Sequence, residues 1–121
     1  MAACIPSAWP SAVSTPDSED WESSAAAWLL DLLPEYREHP QVCRYPVVLA
    51  SIARHTLRGA LEGARDGYRT VRTELGARVP PNAMDAALEA YRAEGRRLAA
   101  VVDAIDLVER ALHGETFRPG L

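Results

Sequence analysis

The sequence contains no lysine, so all 13 basic residues are arginine, and it has one phenylalanine and one asparagine. Alanine, in contrast, is abundant. This bias is typical of a very GC-rich genome, and we expect an actinobacterial source. It also means that arginine content is a poor signal for nucleic-acid binding. With a formal net charge of −4, a general phosphate-binding surface is disfavoured, and we expect no nucleic-acid partner.

Cysteine is scarce, and so are long apolar runs. Cys4 and Cys43 are too few for a disulfide framework. The longest apolar run, AAAWLL at residues 25–30, is far too short to span a bilayer. Residues 1–13 lack the basic segment and the unbroken apolar run of a secretory signal. We therefore expect a cytoplasmic protein with reduced thiols and no membrane association.

Recognisable catalytic motifs are also missing, because the sequence has no P-loop, nucleophile elbow or GxGxxG. His39 with Cys43, and Glu109 with His113, have the i, i+4 spacing that permits helical metal ligands. No third ligand follows at a recognisable spacing, so ordinary capping and surface pairing is the favoured interpretation. We expect no metal site, no cofactor bound by the chain alone and no catalysis by the chain alone.

The composition that remains, 48% hydrophobic and 25% charged over 121 residues, is that of one globular domain. We predict a disordered tail over residues 1–14, a single helical domain over 15–114 and a C-terminal tail over 115–121. Ser14 or Thr15 followed by Pro16 predicts a first helix over about 16–33. Its apolar face is formed by Trp21, Ala25, Trp28 and Leu32.

Two longer helices are predicted downstream. Three prolines six residues apart, at 34, 40 and 46, indicate short helical turns that lead into a second helix over about 46–75. Its heptad seam consists of Leu57, Leu61, Ala64, Tyr68, Val71 and Leu75. A third helix opens at Pro81 or Asn82 and ends near His113, with Gly114 as its stop. Its seam consists of Met84, Leu88, Tyr91, Gly95, Leu98, Val102, Ile105 and Leu112.

The short proline-rich turn between the long helices predicts an all-α fold built on a long antiparallel hairpin with a shorter N-terminal helix. A turn centred near residue 79 or 80 places Tyr68 opposite Tyr91 and Ala64 opposite Gly95. Because both helices carry small residues at that level, we predict a close approach of the helices in mid-hairpin.

Glycines at 59, 63 and 67 form a stripe within the second helix, at a cost of about 1 kcal/mol each relative to alanine. Gly59 and Gly63 point away from the heptad seam, and Gly67 lies between two faces. The other residues of that uncharged face are Val48, Leu49, Ile52, Thr56 and Thr70. We interpret the stripe as a groove, filled either by Trp21 and Trp28 of the first helix or by another chain.

Charged residues offer weaker signals. Glu94 and Glu109 lie within the apolar arc of the third helix, about 22 Å apart along its axis, too far for a carboxylate dyad. We expect each to pair with an arginine, with contact to a partner or ligand as the alternative. Arg65, Arg69 and Arg72 share one face and could hold a phosphate or carboxylate, but interleaved acids favour a solvated or ion-paired face.

Two classes of function remain. The first is a non-catalytic accessory subunit that packs on a larger protein encoded nearby. The second is a free-standing helical bundle that binds a small ligand or has a regulatory role. The predicted partner-binding residues are Trp21, Trp28, Val48, Ile52, Gly59, Gly63, Gly67, Arg65 and Arg69.

The segments HPQVCRYPVVLA, GALEGARDGYRT and VPPNAMDAALEAYRAEG carry a family resemblance. Over about residues 28–113 the chain resembles the small helical subunit of actinobacterial flavin-dependent cyclodipeptide oxidases, in which a flavin-binding nitroreductase-like subunit pairs with a short helical one. The resemblance implies an obligate enzyme partner, flavin mononucleotide (FMN) near the interface and diketopiperazine oxidation by the complex. It rests on length and helical layout, so no catalytic or cofactor residue is carried over to this chain.

Overall fold

The computed structural model describes residues 5–116, which contain helices and turns and no strand. The helices are α1 (Trp21–Leu32), α2 (Pro40–Cys43), α3 (Pro46–Leu75) and α4 (Pro81–Leu112), with a 3₁₀ segment over Pro34–Glu38. The predicted all-α hairpin is confirmed, and the ends of its two long helices were predicted to within one residue. Within residues 5–116 no helix combines the length and apolarity that a membrane crossing requires.

Proline sets where four of these elements begin. Pro34, Pro40, Pro46 and Pro81 are each the first residue of a helical element. At that position the missing N–H costs nothing, because the first amides of a helix have no intrahelical acceptor, and the fixed φ already suits the helix. The predicted short turns between the first and second long elements are thereby confirmed.

The start of α1 was predicted wrongly, because the helix begins at Trp21 rather than near residue 16. The hydroxyl of Thr15 donates to the carboxylate of Asp17, and Ser18 Oγ donates to Asp20 Oδ1 at 2.7 Å. Such local side-chain bonds give the backbone an alternative to helix, and residues 15–20 form turns instead.

The chain divides into two compact units. The first unit comprises residues up to His55 and from Asp103 onward, and the second comprises Thr56–Val102, so that α3 and α4 contribute to both. The prediction of a single domain over 15–114 stays a prediction.

The first unit contains a cluster of Val13, Ala25 and Val108. Four partly buried side chains pack against it: Trp9, Trp21, Trp28 and Leu112. The predicted face of α1 is only partly right, because Leu29 of α1 and Leu33, which follows the helix, are fully buried while Leu32 is half-buried. Ala25 and Leu29, four residues apart, lie on one face of α1, and this is the side of the helix that is buried.

Residues 5–14 fall in the predicted tail, yet they make specific contacts in the first unit. Val13 is 4% exposed, and its carbonyl oxygen accepts a hydrogen bond from Trp9 Nε1 at 2.9 Å. The Trp9 and Trp21 rings are 6.1 Å apart between centroids, and the Ser14 amide donates to Ser24 Oγ at 2.9 Å. We call residues 5–14 the N-terminal strap. Residues 1–4 of the predicted tail, and 117–121 of the predicted C-terminal tail, lie outside the described residues.

The second unit holds the hairpin turn at residues 76–80. Its cluster is formed by Val71, Met84 and Leu88, with Val79 and Ala87 packed against it. Most of the predicted seam is buried there: Leu57, Leu61, Ala64, Val71, Met84, Leu88 and Leu98. Tyr68, Leu75 and Tyr91 are exceptions, since they remain 37%, 41% and 37% exposed.

The C-terminal end of α4 follows its predicted stop signal. Gly114 has φ +90°, a conformation that side chains with a Cβ rarely adopt. Its amide donates to the Ala111 carbonyl at 2.9 Å, and the Glu115 amide donates to the Arg110 carbonyl at 3.0 Å. This pair of bonds is a Schellman motif, which satisfies carbonyls that the helix leaves free.

Candidate functional site

A groove of about 330 Å³ opens between the two helices of the second unit, near mid-hairpin. Its lining consists of Ala64, Arg65, Tyr68 and Arg69 from α3 and Tyr91, Arg92 and Gly95 from α4. We call it the tyrosine–arginine groove. The i, i+4 repeat on each helix places these side chains on one face, and the antiparallel register brings the two faces to the same level.

Arg92 and Tyr68 are joined across the hairpin. Arg92 Nη2 donates to Tyr68 Oη at 2.7 Å, and its guanidinium carbon lies 5.5 Å from the centroid of the Tyr68 ring. The hydrogen bond with the Tyr68 hydroxyl is the main cause that raises the pKa of Arg92, with the nearby Glu89 charge contributing less. The guanidinium is thus held in position and stays charged.

The other two arginines of the groove have acidic neighbours on their own helix. Arg65 Nη1 lies 3.1 Å from Glu62 Oε1, and Arg69 Nη2 lies 3.4 Å from Asp66 Oδ1. All four side chains are more than half exposed, so each pair contributes at most about 1 kcal/mol. The prediction of a solvated or ion-paired face is thus confirmed at Arg65 and Arg69.

The charge of the lining is one-sided. Three guanidinium groups line the groove, and among the described residues no carboxylate does. A second cleft, of about 220 Å³, lies nearby and is lined by both signs of charge. Its residues are Tyr68, Arg72, Asp85, Leu88, Glu89 and Arg92. The charged side chains that line the tyrosine–arginine groove are therefore all basic, on a chain whose net charge is negative.

The close approach of the helices predicted at Ala64 and Gly95 stays a prediction, but no packing of described atoms against Gly95 is found. A Cβ added to Gly95 would have no atom of the described residues within 4 Å, apart from the helix's own backbone and chain neighbours. The tight contact falls instead at Gly67, where an added Cβ would lie 2.9 Å from Tyr91 Oη and overlap the ring. Register predicts which residues lie at the same level, but it does not predict which of them make the closest contact.

The other two glycines of the stripe face outward, as predicted. Gly59 and Gly63 are exposed, and a Cβ added to either would meet nothing within 4 Å among residues 5–116 outside its own helical backbone. One of the two predicted alternatives was that the first helix packs over the glycine stripe, and it does not do so at Gly59 or Gly63. Trp21 and Trp28 instead pack on the cluster of the first unit.

The remaining predicted partner-binding residues lie in the first unit. Val48 is 39% exposed, whereas Ile52 is half-buried. Leu49, assigned by its spacing to the same uncharged face, is fully buried. Only part of that face is therefore open within this unit. Tyr45, just before α3, is 53% exposed.

Both unusual glutamates pair with arginine, as predicted. Glu94 Oε2 accepts from Arg97 Nε at 3.2 Å, and this hydrogen bond lowers the pKa of Glu94. Glu109 is 9% exposed and its Oε1 lies 2.7 Å from Arg54 Nε. The latter contact is a charge pair with poor hydrogen-bond alignment, because Arg54 Nε has no hydrogen-bond partner among the described atoms.

The two residue pairs with metal-ligand spacing have other roles. Cys43 Sγ donates to the Tyr36 carbonyl at 3.1 Å, and the His39 ring lies 5.6 Å from the Tyr36 ring. Glu109 is occupied by Arg54. Within the described range, no three His, Cys, Asp or Glu side chains converge on a point that could hold a metal ion.

Comparison with protein-family models, curated proteins and solved structures finds no match to this chain. The fold itself defines the class, an all-α protein built on a long helical hairpin.

Sequence reasoning found Arg65 and Arg69 but missed the groove that they line. Tyr68 and Tyr91 were assigned to the buried seam, and Arg92 was not considered. A usable signal was present, because a Tyr-Arg dipeptide occurs on each long helix, at residues 68–69 and 91–92. Tyrosine at a seam position with arginine beside it is typical of a rim, since the phenol hydroxyl needs a polar partner.

Proposed function

We propose that the chain is a non-catalytic accessory subunit that packs on a larger partner protein, with the tyrosine–arginine groove as a principal contact. The observation that carries this proposal is the groove itself. Two tyrosines, each 37% exposed, and three arginines line the groove together with Ala64 and Gly95. Tyrosine and arginine are enriched among the residues that dominate binding energy at protein interfaces.

The exposed glycines support an interface on the same unit. Gly59 and Gly63 together cost the isolated helix about 1–2 kcal/mol relative to alanine. Gly67 accommodates Tyr91, but the other two accommodate nothing within the described chain. A partner that approaches the α3 backbone closely would explain why glycine occupies these two positions.

The identity of the complex follows from the resemblance stated above. In this proposal the partner is a flavin-binding oxidoreductase subunit of an actinobacterium, encoded nearby, and the complex works in the cytoplasm with FMN near the interface. The chain would supply shape and charge to the assembly, and no residue of it is assigned to the flavin or to the reaction.

The volume of the groove favours a second candidate, a free-standing binder of a small ligand. About 330 Å³ is at the lower end of the range of small-molecule pockets. Such pockets enclose most of their ligand, whereas Tyr68 and Tyr91 leave the walls of this groove partly in solvent. The geometry therefore favours a protein partner.

Co-expression with the products of adjacent reading frames tests the proposal. We expect the chain to co-purify with one of them as a larger species on size exclusion, with a flavin absorbance. Gly63→Leu should leave the isolated chain helical by circular dichroism but prevent complex formation. Ala93→Leu, at an exposed position of α4 outside the groove, is the matched control and should leave the complex intact. If the chain stays monomeric when it is co-expressed with the product of each adjacent reading frame, the proposal is contradicted.

A further inference from the structure

We propose that the tyrosine–arginine groove binds a segment of the partner protein that presents a carboxylate directly beside an aromatic side chain. This inference rests on the proposed function and adds the chemistry of the partner. The first support is charge, because the lining carries three guanidinium groups and, within the described chain, no acid. The groove thus clusters three guanidinium groups, and it does not form an extended basic surface.

One arginine is already positioned for recognition. Arg92 is anchored by its hydrogen bond to Tyr68 and by its position over the ring. Of its five N–H donors, Tyr68 takes one, and the nearest approach to Glu89 is a loose 3.9 Å. Donors therefore remain for a carboxylate, and little side-chain entropy is lost when one binds.

Arg65 and Arg69 can complete the site at low cost. Their intrahelical partners, Glu62 and Asp66, are exposed and do not line the groove. Each arginine can exchange its weak intrahelical ion pair for a pair with the partner's carboxylate. The new pair is stronger, because the groove walls exclude part of the solvent that screens the charge.

The apolar part of the groove accepts a ring. Ala64 and Gly95 contribute almost no side-chain volume. A Cβ added to Gly95 would have no other described side chain within 4 Å. Tyr68 and Tyr91 contribute aromatic side chains to the same lining. Aromatic pairs favour offset or edge-to-face packing at 4.5–7 Å between centroids, which a groove of this size permits.

The surroundings of the groove disfavour an extended polyanion. Glu62, Asp66 and Glu89 flank the lining arginines within 4 Å of them, and the whole chain carries −4. A nucleic acid or an anionic membrane would bring phosphates against these acids. A single carboxylate that enters the groove meets only the guanidinium groups, so the charge pattern selects a localised anion.

A titration of the full chain, followed by ¹H–¹⁵N NMR, tests the inference. The probe is the capped peptide acetyl-Ala-Phe-Glu-Ala-amide, compared with peptides in which the glutamate is glutamine or the phenylalanine is alanine. We expect shifts confined to residues around 64–69 and 91–95, and affinity about tenfold weaker for either control peptide. Equal binding of the glutamine peptide, shifts elsewhere, or no shift at all would overturn the inference.

Two protein variants and one small acid sharpen the test. Arg92→Gln should weaken binding about tenfold, whereas Arg96→Gln, exposed on the same helix but outside the groove, should not. Tighter binding of free 3-phenylpropionate than of the peptide would overturn the assignment to a protein segment in favour of a small-molecule site. Because these measurements use the isolated chain, their failure leaves complex formation, tested above with Gly63→Leu, as a separate result.

Discussion

Gly67 and Gly63 show how two residues of one sequence pattern acquire different roles. Both are interior to α3 and four residues apart. The Tyr91 ring occupies the space that a side chain at Gly67 would need, while the equivalent space at Gly63 is open in the described chain. A glycine that makes room for a neighbour is stabilising, whereas one that faces solvent costs helix propensity without return.

Alanine at these two positions should therefore have opposite effects on the isolated chain. Gly63→Ala should raise the free energy of unfolding by about 0.5–1 kcal/mol, because it improves helix propensity without a clash. Gly67→Ala should give no gain or a loss, because the Tyr91 ring must move. Urea denaturation measures both.

The matched control for this pair is Tyr91→Ala, combined with each substitution. Removal of the ring should restore the gain at Gly67 and leave the effect at Gly63 unchanged, with a coupling of about 1 kcal/mol at Gly67 only. If Gly67→Ala stabilises the wild-type chain as much as Gly63→Ala does, the ring does not lie where the structure places it.

At the scale of single residues, the sequence predicted directions better than distances. The 100° rotation per residue correctly placed Gly59 and Gly63 outward and Gly67 at an edge, because that rotation is local and regular. The open space beside Gly95 could not be predicted from this rotation, since it depends on how the side chains of two helices pack together. The same limit led to Tyr68 being assigned to the core.

Among the elements, the long helices were predictable and the N-terminal segments were not. Heptad spacing and proline positions specify α3 and α4, because both signals act within a few residues. The start of α1 depends on competition between helix and the side-chain bonds of residues 15–20, which the capping pattern did not reveal. The N-terminal strap has no periodicity, and its docking depends on Trp9 and Val13 finding distant partners.

The N-terminal strap should contribute to stability through Val13. Val13→Ala removes two methyl groups from a position that is 4% exposed and packed with Ala25 and Val108. We expect a loss of about 1–2 kcal/mol in the free energy of unfolding, from lost apolar burial and the cavity left behind. Val48→Ala is the same chemical change at a 39% exposed site and should cost less than about 0.5 kcal/mol. Equal costs would mean that the strap is not docked in solution.

For the molecule as a whole, exposed acids with lowered pKa values set the response to acid. Hydrogen bonds from Arg97, Arg110 and Ser18 are the largest causes that lower the pKa of Glu94, Glu115 and Asp20 respectively. A carboxyl group whose pKa is lower in the folded state stabilises that state above its unfolded pKa. This contribution is lost as the pH falls through the folded value.

The melting temperature should therefore be nearly constant above about pH 5 and fall as the pH drops below about 4. Thermal melts followed by circular dichroism at constant ionic strength measure this. In the double variant Glu94→Gln/Glu115→Gln the fall should be shallower, because two of the three contributing groups no longer titrate. A melting temperature that rises on acidification, or an identical slope in the double variant, would contradict this origin of the acid response.

The aromatic residues are distributed so that tryptophan fluorescence can distinguish the two units. All three tryptophans, at positions 9, 21 and 28, belong to the first unit, whereas the second unit contains only the tyrosines at 68 and 91. Emission excited selectively at the indole band therefore reports on residues around the docked strap and is blind to the hairpin tip. A fluorescence melt and a helix-sensitive melt of the same sample would reveal, without any label, whether the two parts of this chain lose their structure together.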